Sequence, residues 1–300
     1  MQTFPEQKIK IGDYELYAIP TGEFGLDGGA MFGTVPKILW EKSNPPDSQN
    51  RIPMEARGLL LKSSSRIVLI DVGNGRDFVP KYGEKLGQKF AEMYNIKEEG
   101  PSLIKSLADH SVRPEEVTDV ILTHLHFDHA GGSTCWRDGQ LQPQFPNAQY
   151  YVQQGNYETA RKPNLRERAS YLAANFEPLV AAGRLKLLQG EGEILPGVSA
   201  LLSHGHTAFH QMIKISDGLT TVLYCGDVVP TSSHVRLPWL MGYDLHPLTL
   251  MDEKKKVLGQ AADENWFLYF EHDPYCDMAR VDRNKEDFAV RDRWRLNSTV

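Results

Sequence analysis

The sequence predicts an α/β protein with two sheets flanked by helices, and three observations lead there. Apolar runs of strand length alternate with stretches of helical pattern in both halves of the chain. A length of 300 residues at 41% hydrophobic content is enough to bury a full core. No low-complexity segment or linker interrupts the chain, so one compact domain over residues 1–300 is expected.

The elements follow in order. Ile9 to Ile19 alternates about a Gly12-Asp13 turn, as a pair of strands would. "RGLLLKSSSRIVLIDVGNG", Arg57 to Gly75, reads as a hairpin of two apolar runs about a serine turn. Helices are expected from Gly83 to Tyr94 and from Ser102 to His110, and "RPEEVTDVILT" then gives a turn and a buried strand. In the second half "AQYYVQ" is a strand and residues 156–182 are expected to be helical. "LKLLQG", "VSALLS", "HQMIKIS" and "TTVLYCGD" are strands, Thr249 to Ala262 a helix and "WFLYF" a strand. Lys285 to Arg295 is expected as a closing helix.

Two segments are too long to be plain connectors, residues 23–53 and 228–248. Phe24, Met31, Phe32 and Trp40 in the first, and Trp239, Met241 and Tyr243 in the second, argue for ordered active-site loops rather than disorder.

Composition narrows the function classes. A formal net charge of -6 and the lack of a clustered basic face argue against a nucleic-acid partner. The densest basic stretch, Arg161 to Arg168, is broken by Pro163 and Glu167 and reads as a solvated helix start. Cys135, Cys225 and Cys276 are odd in number and far apart, which suits reduced thiols in a cytoplasmic protein. The N-terminal stretch has no apolar core of a signal peptide, and no apolar run is long enough to span a bilayer. The expected partner is a small-molecule substrate, with no membrane; a homodimer is compatible with the sequence.

"ILTHLHFDHAGG", Ile121 to Gly132, carries the chemistry. Residues two apart in an extended segment share a side, so His124 and His126 can grip one metal from the strand end. Asp128 and His129 are adjacent and can converge on a second ion only if the chain turns there, for which Ala130, Gly131 and Gly132 are suited. A lone histidine is ordinarily a core or surface residue, but three with an aspartate at this spacing are a metal motif. These four are too few for two ions. His206 after "VSALLSHG", Asp227 after "TTVLYCG" and His272 after "WFLYFE" each end an apolar strand and are the further candidates.

His124-x-His126-x-Asp128-His129, "SHGHT", "CGD" and "FEHD" together resemble the metallo-β-lactamase superfamily, and "LIDVGNG" with Asp71 is similar to its early Asp-x-Gly turn. The resemblance implies a four-layer αββα sandwich with the site at the seam between its sheets. It implies that His124, His126 and His206 bind one metal, that Asp128, His129 and His272 bind the second, and that Asp227 bridges both. Asp71 would steady the histidine loop by hydrogen bonding. His204 stands where the superfamily often has proline and is taken as a tolerated loop residue. The full ligand set, "GGAMFG…PK…W" and the aromatic segment after Asp227 resemble the branch of quorum-quenching lactonases and methyl parathion hydrolase-like enzymes.

Five histidines and two carboxylates suit two divalent ions, zinc first, with iron, manganese or cobalt also compatible. A metal-bridging hydroxide would then be the nucleophile, with no serine or cysteine needed. Asp128 is nominated as proton shuttle, Asp227 as bridging ligand and Tyr243, by analogy with lactonases, as a contact to the substrate carbonyl. The leading expectation is a hydrolase of lactones or related esters with an apolar portion held by Phe32, Trp40 and Trp239. Phosphotriester hydrolysis is the alternative. A redox enzyme of this fold fits less well, because His126 stands where flavin-linked di-iron members carry an acid. A non-catalytic module fits less well because no ligand is missing. His110 suits a helix end. His210, His234 and His246 are expected either near the site or as packing and loop residues.

Overall fold

The computed structural model describes residues 4–97 and 99–296. It divides into two compact units, residues 13–24 with 55–190 (the middle unit) and residues 4–12, 25–54 and 191–296 (the terminal unit).

In the middle unit the strands lie in the order Leu185–Leu188, Gln149–Gln153, Asp119–Ile121, Ile67–Ile70, Arg51–Lys62 and Tyr14–Asp27. The first four are mutually parallel, and Ile67–Ile70 is antiparallel to Arg51–Lys62. Val68, Leu69 and Ile70, like Val120 and Ile121, are fully buried, as expected for parallel strands covered on both faces. Helices Leu103–Asp109, Gln154–Arg161 and Glu177–Ala181 supply Leu107, Ala160 and Leu179 to the core with Leu69, Val120 and Val152. The parallel register Ile70↔Ile121 decides what happens next. Asp71 follows one strand and Leu122 to His124 the other, so they emerge on the same edge. The Asp71 N–H donates to the Ile121 carbonyl at 3.0 Å.

The terminal unit holds an eight-stranded sheet in the order Glu6–Gln7, Asp287–Leu296, Met278–Asn284, Phe267–Tyr269, Thr221–Tyr224, His210–Ser216, Val198–Ser203 and Gly192–Leu195. Thr221–Tyr224 and Phe267–Tyr269 are parallel with Tyr224↔Tyr269 paired, so Asp227 and His272 follow from one edge. Ser203↔His210 pairs across an antiparallel ladder, and Ile213↔Tyr224 joins it to the next strand. The turn holding His206 therefore opens on that edge too. Helix Pro247–Asp263 buries Leu250, Val257, Leu258 and Ala261 in a core with Leu223, Leu268 and Trp266.

Most sequence-predicted elements are present, and the exceptions have physical causes. The closing helix expected over Lys285 to Arg295 is instead a hairpin of Met278–Asn284 with Asp287–Leu296. Phe288, Val290, Trp294 and Leu296 sit at even spacing, the period of a strand, and Lys285 has a left-handed φ of 57° in the turn. A second hairpin, Thr134–Arg137 with Gln140–Pro143, turns at Asp138-Gly139, both with positive φ. Residues 156–182 are helical only at the two ends, over Gln154–Arg161 and Glu177–Ala181, with Pro163 between. The loop of residues 23–53 carries two short helices, Gly28–Phe32 and Lys37–Trp40. Among the described residues no helix is long and apolar enough to cross a membrane.

Candidate metal centre

In the middle unit the chain turns after His126 into the short helix Phe127–Ala130, as the pairing of Asp128 with His129 requires. The turn is locked to the loop after Asp71. The Val72 N–H donates to the His129 carbonyl at 2.9 Å, and the Gly132 N–H donates to the Gly73 carbonyl at 3.0 Å. The approach is so close that a Cβ on Gly131 would lie 2.1 Å from the Asn74 carbonyl oxygen. Lys81, buried on helix Phe78–Tyr82, donates from Nζ to the Gly131 carbonyl at 2.6 Å, and burial pushes its pKa down to about 8.

This scaffold gathers His124, His126, Asp128 and His129, all buried. The His124 ring centre lies 4.4 Å from that of His126 and 4.0 Å from that of His129. Asp71 acts as expected. Its carboxylate accepts the Thr123 N–H at 2.7 Å, the Thr123 hydroxyl at 2.6 Å and His129 Nδ1–H at 3.0 Å. The Thr123 hydroxyl proton is thus committed to Asp71, so its oxygen accepts from His124 Nδ1–H at 3.0 Å. Both histidines are held in the tautomer that leaves Nε2 able to act as a ligand. His126 is braced differently, its ring edge-on to Tyr171 at 4.6 Å with the Glu167 carboxylate 3.9 Å from Nε2. Glu167 is buried, while Arg161, Lys162, Arg166 and Arg168 around it are exposed as expected, and Arg161 ends a helix rather than starting one. Burial, and behind it the charge of Asp128, raises the Tyr94 phenol above its ordinary range.

The terminal unit gathers His206, Asp227 and His272. Asp227 sits in the one-turn helix Gly226–Val228 and divides its carboxylate. One oxygen lies 3.1 Å from His206 Nε2 and the other 3.3 Å from His272 Nε2. A buried carboxylate facing two imidazole nitrogens suits a group that gives one oxygen to each of two cations. His206 Nδ1–H donates to Asp244 at 2.9 Å, again leaving Nε2 able to act as a ligand.

The other nominated residues divide clearly. His210 accepts the Asp227 N–H at Nε2, 3.2 Å away, so it braces the Asp227 turn. His204 is exposed and accepts the Phe209 N–H at 3.2 Å, a local role matching the tolerated-residue reading. His246 is exposed at the start of helix Pro247–Asp263. His110 closes its helix as expected and is buried, and burial lowers its pKa, which works against the charged form. His234 is buried, stacked on Phe32 with ring centres 4.7 Å apart, and makes packing contacts rather than lining an open cleft. Tyr243 is 40% exposed.

The apolar pocket expected from Phe32, Trp40 and Trp239 is corrected by burial. Phe32 and Trp40 are fully enclosed, stacked 5.3 Å apart, with Trp239 edge-on to Phe32 at 5.5 Å. They form the packing of the loop, not its surface.

Sequence reasoning missed Asp244, Thr123, Lys81, Asn156 and Glu253. Asn156 accepts the Leu125 N–H at 3.0 Å, within the histidine motif. Glu253 accepts the Ser203 hydroxyl at 2.5 Å and the N–H groups of His204 and Gly205 at 2.8 and 3.2 Å, holding the His206 turn. Nothing in the local sequence marks either one.

Comparison with known proteins agrees with this geometry. The metallo-beta-lactamase superfamily model matches residues 59–272. A probable metal-dependent hydrolase from Staphylococcus aureus is 28% identical, with 94% of this chain and 99% of that one covered and a TM-score of 0.83. An N-acyl homoserine lactonase of Bacillus cereus is 28% identical over 204 residues, 67% of this chain and 70% of the relative. AidC, a dizinc quorum-quenching lactonase solved in complex with the product N-hexanoyl-L-homoserine, is 20% identical, with 96% and 97% covered and a TM-score of 0.75. The fold and the candidate donor set are those of metal-dependent hydrolases, a class that includes the lactonase relatives. The chain belongs to the metallo-β-lactamase superfamily, and the α/β class and lactonase-branch similarity expected from its motifs hold.

Proposed function

We propose that the protein hydrolyses lactones, N-acyl homoserine lactones first among them, with two divalent ions. His124, His126, His206 and Asp227 would hold one ion, and Asp128, His129, His272 and Asp227 the other. Zinc is the first choice for five imidazoles and two carboxylates. The observation that carries the reading is the Asp227 carboxylate, with one oxygen toward His206 and the other toward His272. The curated lactonase relative and the dizinc lactonase of the same fold support the substrate class. The family model runs through residues of both units, 59–272, which supports a single domain over residues 1–300. Three buried thiols suit the cytoplasm.

When bound, such a pair supplies Lewis acidity, for activating water near neutral pH and for polarising an ester oxygen. The chain's own residues do the rest. Asp71, Thr123 and Asp244 fix the histidine tautomers, so the ligand nitrogens are aimed before any ion arrives. Asp128, with 3.9 Å between its Oδ1 and His129 Nε2, would take a proton and return it to the leaving alkoxide. The Tyr243 hydroxyl, on an exposed side chain, is nominated to donate to the substrate carbonyl oxygen. With Phe32 and Trp40 enclosed, exposed apolar side chains near these ligand loops in sequence, among them Trp136, Phe209, Tyr243 and Leu248, are the candidates to meet an acyl substituent.

The test combines metal analysis with a panel of acylated homoserine lactones, aryl esters and phosphotriesters. About two ions per chain and lactones as the best substrates are expected. Asp227→Asn should lose metal and all activity. Tyr243→Phe should keep its metal and lose about 10- to 1000-fold in kcat on lactones. Full activity after complete chelation would refute the metal mechanism, and phosphotriesters as the best substrates would refute the lactone reading.

A further inference from the structure

We propose that Asp244 is a positioning residue that ties the segment carrying Tyr243 to the candidate ligand His206, so that metal affinity and substrate binding depend on one carboxylate. The inference rests on the metal reading above and adds a coupling to it. Asp244 is buried, and its two oxygens serve different masters. Oδ1 accepts His206 Nδ1–H at 2.9 Å, while Oδ2 accepts the Met241 N–H at 2.7 Å, two residues before Tyr243.

The backbone on either side repeats the connection. Leu245 donates to the His206 carbonyl at 3.1 Å and His246 to the Gly205 carbonyl at 2.8 Å. The same segment is anchored at its other end. Lys254 Nζ donates to the carbonyls of Arg236 and Trp239 at 3.0 and 2.9 Å, and the Gly242 N–H donates to the Ala30 carbonyl at 2.7 Å. Residues 236–246 are therefore not a loose lid, and Tyr243 sits in the stretch between these ties.

The chemistry makes the coupling more than bracing. A carboxylate on Nδ1–H fixes the imidazole tautomer and raises the basicity of Nε2, the nitrogen that faces Asp227. A change in how residues 241–244 sit alters the geometry of that hydrogen bond, and a cation drawing on His206 tightens it. Neutral asparagine in place of Asp244 keeps one amide oxygen for a single N–H, sets its NH2 against the other and supplies no charge, whereas glutamate keeps the charge and two acceptor oxygens. Comparing the two variants therefore separates positioning from simple support.

The experiment measures zinc affinity of the apo full-length protein by competition with a chromophoric chelator, for wild type, Asp244→Asn and Asp244→Glu. Helical content and apo melting temperature are recorded alongside. In Asp244→Asn one of two zinc ions should bind about 10- to 100-fold more weakly, and Asp244→Glu should recover part of the loss. At saturating zinc, Asp244→Asn should also raise KM for an acylated homoserine lactone. Wild-type protein that takes up no zinc refutes the metal reading itself. Wild type binding two ions with Asp244→Asn equally tight overturns the positioning role. Weakened zinc with wild-type KM and kcat at saturation overturns the coupling to the Tyr243 segment. If Asp244→Asn does not fold, Asp244→Glu decides alone, since the longer carboxylate must shift zinc affinity and KM together or the proposal fails.

Discussion

His234 should make the terminal unit acid-sensitive, and the size of the effect follows from its surroundings. The ring is buried, with Nε2–H donating to the Met31 carbonyl at 2.8 Å and Nδ1 accepting the Thr231 hydroxyl at 2.7 Å. Both nitrogens are satisfied in the neutral form. Burial pushes the pKa down to about 4, from an ordinary value of 6.5. Between those two values the unfolded chain binds a proton that the folded chain refuses, so stability is fully present above pH 6.5 and falls as the pH drops toward 4. A shift of this size corresponds to about 3 kcal/mol, most of it lost by pH 4.5. His234→Leu removes the titrating group. It also strands the Met31 carbonyl and the Thr231 hydroxyl, costing about 1–3 kcal/mol for each at neutral pH. The assay is urea unfolding of the apo protein at pH 7.0 and 4.5, followed by tryptophan fluorescence, since Trp40, Trp239 and Trp266 all lie in this unit. Wild type should lose about 2–3 kcal/mol more than His234→Leu between the two pH values. Equal losses would refute the argument, because other acid-titrating groups are common to both proteins and cancel in the difference.

Trp40→Ala should cost about 3–5 kcal/mol of stability, since the ring is fully buried and occupies the space a Cβ on Gly28 would take. Folded variant measured at low temperature should keep the wild-type dependence of kcat/KM on acyl-chain length; a flattened dependence would put the ring back in a pocket. Gly205→Ala should lower the melting temperature and the zinc content together, because its Cβ would lie 2.3 Å from the Leu250 Cβ and must displace the His206 turn by a strain of about 1–3 kcal/mol. Wild-type metal content in a destabilised Gly205→Ala would separate the turn from the metal.

What was legible in the sequence was local in origin. The ligand candidates stood out because histidine and aspartate at strand ends are costly to place there without a purpose, and the apolar runs that mark the strands are contiguous. The hairpin of Thr134–Arg137 with Gln140–Pro143 was equally legible through Asp138-Gly139, and only the strength of the neighbouring metal motif drew attention from it. The closing hairpin was misread because "NKEDFAVRDRWR" interleaves charges with apolar residues, and a charged exterior face satisfies either period. What decides it is pairing with Met278–Asn284, which a helix over the same residues would forgo.

The residues that orient the ligands were illegible for a different reason. An orienting carboxylate needs only to be an acceptor at the right place, and the chain has 39 acidic residues from which to draw one. Asp71 lies 58 residues from His129, Asp244 38 from His206 and Glu253 50 from Ser203. Of these, Asp71 alone was anticipated, through its resemblance to a family turn, and the parallel register Ile70↔Ile121 explains why such a turn recurs beside a histidine loop. Two strands that end in step deliver their next residues to each other whatever the rest of the chain does. Asp244 has no such guarantee. It reaches His206 through a segment fixed by Lys254, Gly242 and the two backbone bonds to Gly205 and His206, a placement that exists only once the loop is folded. Ligand identity is therefore a property of short motifs, whereas ligand tautomer and basicity are properties of the packed loops. On the proposed coupling, variation in residues 228–248 should retune zinc affinity without touching a candidate ligand.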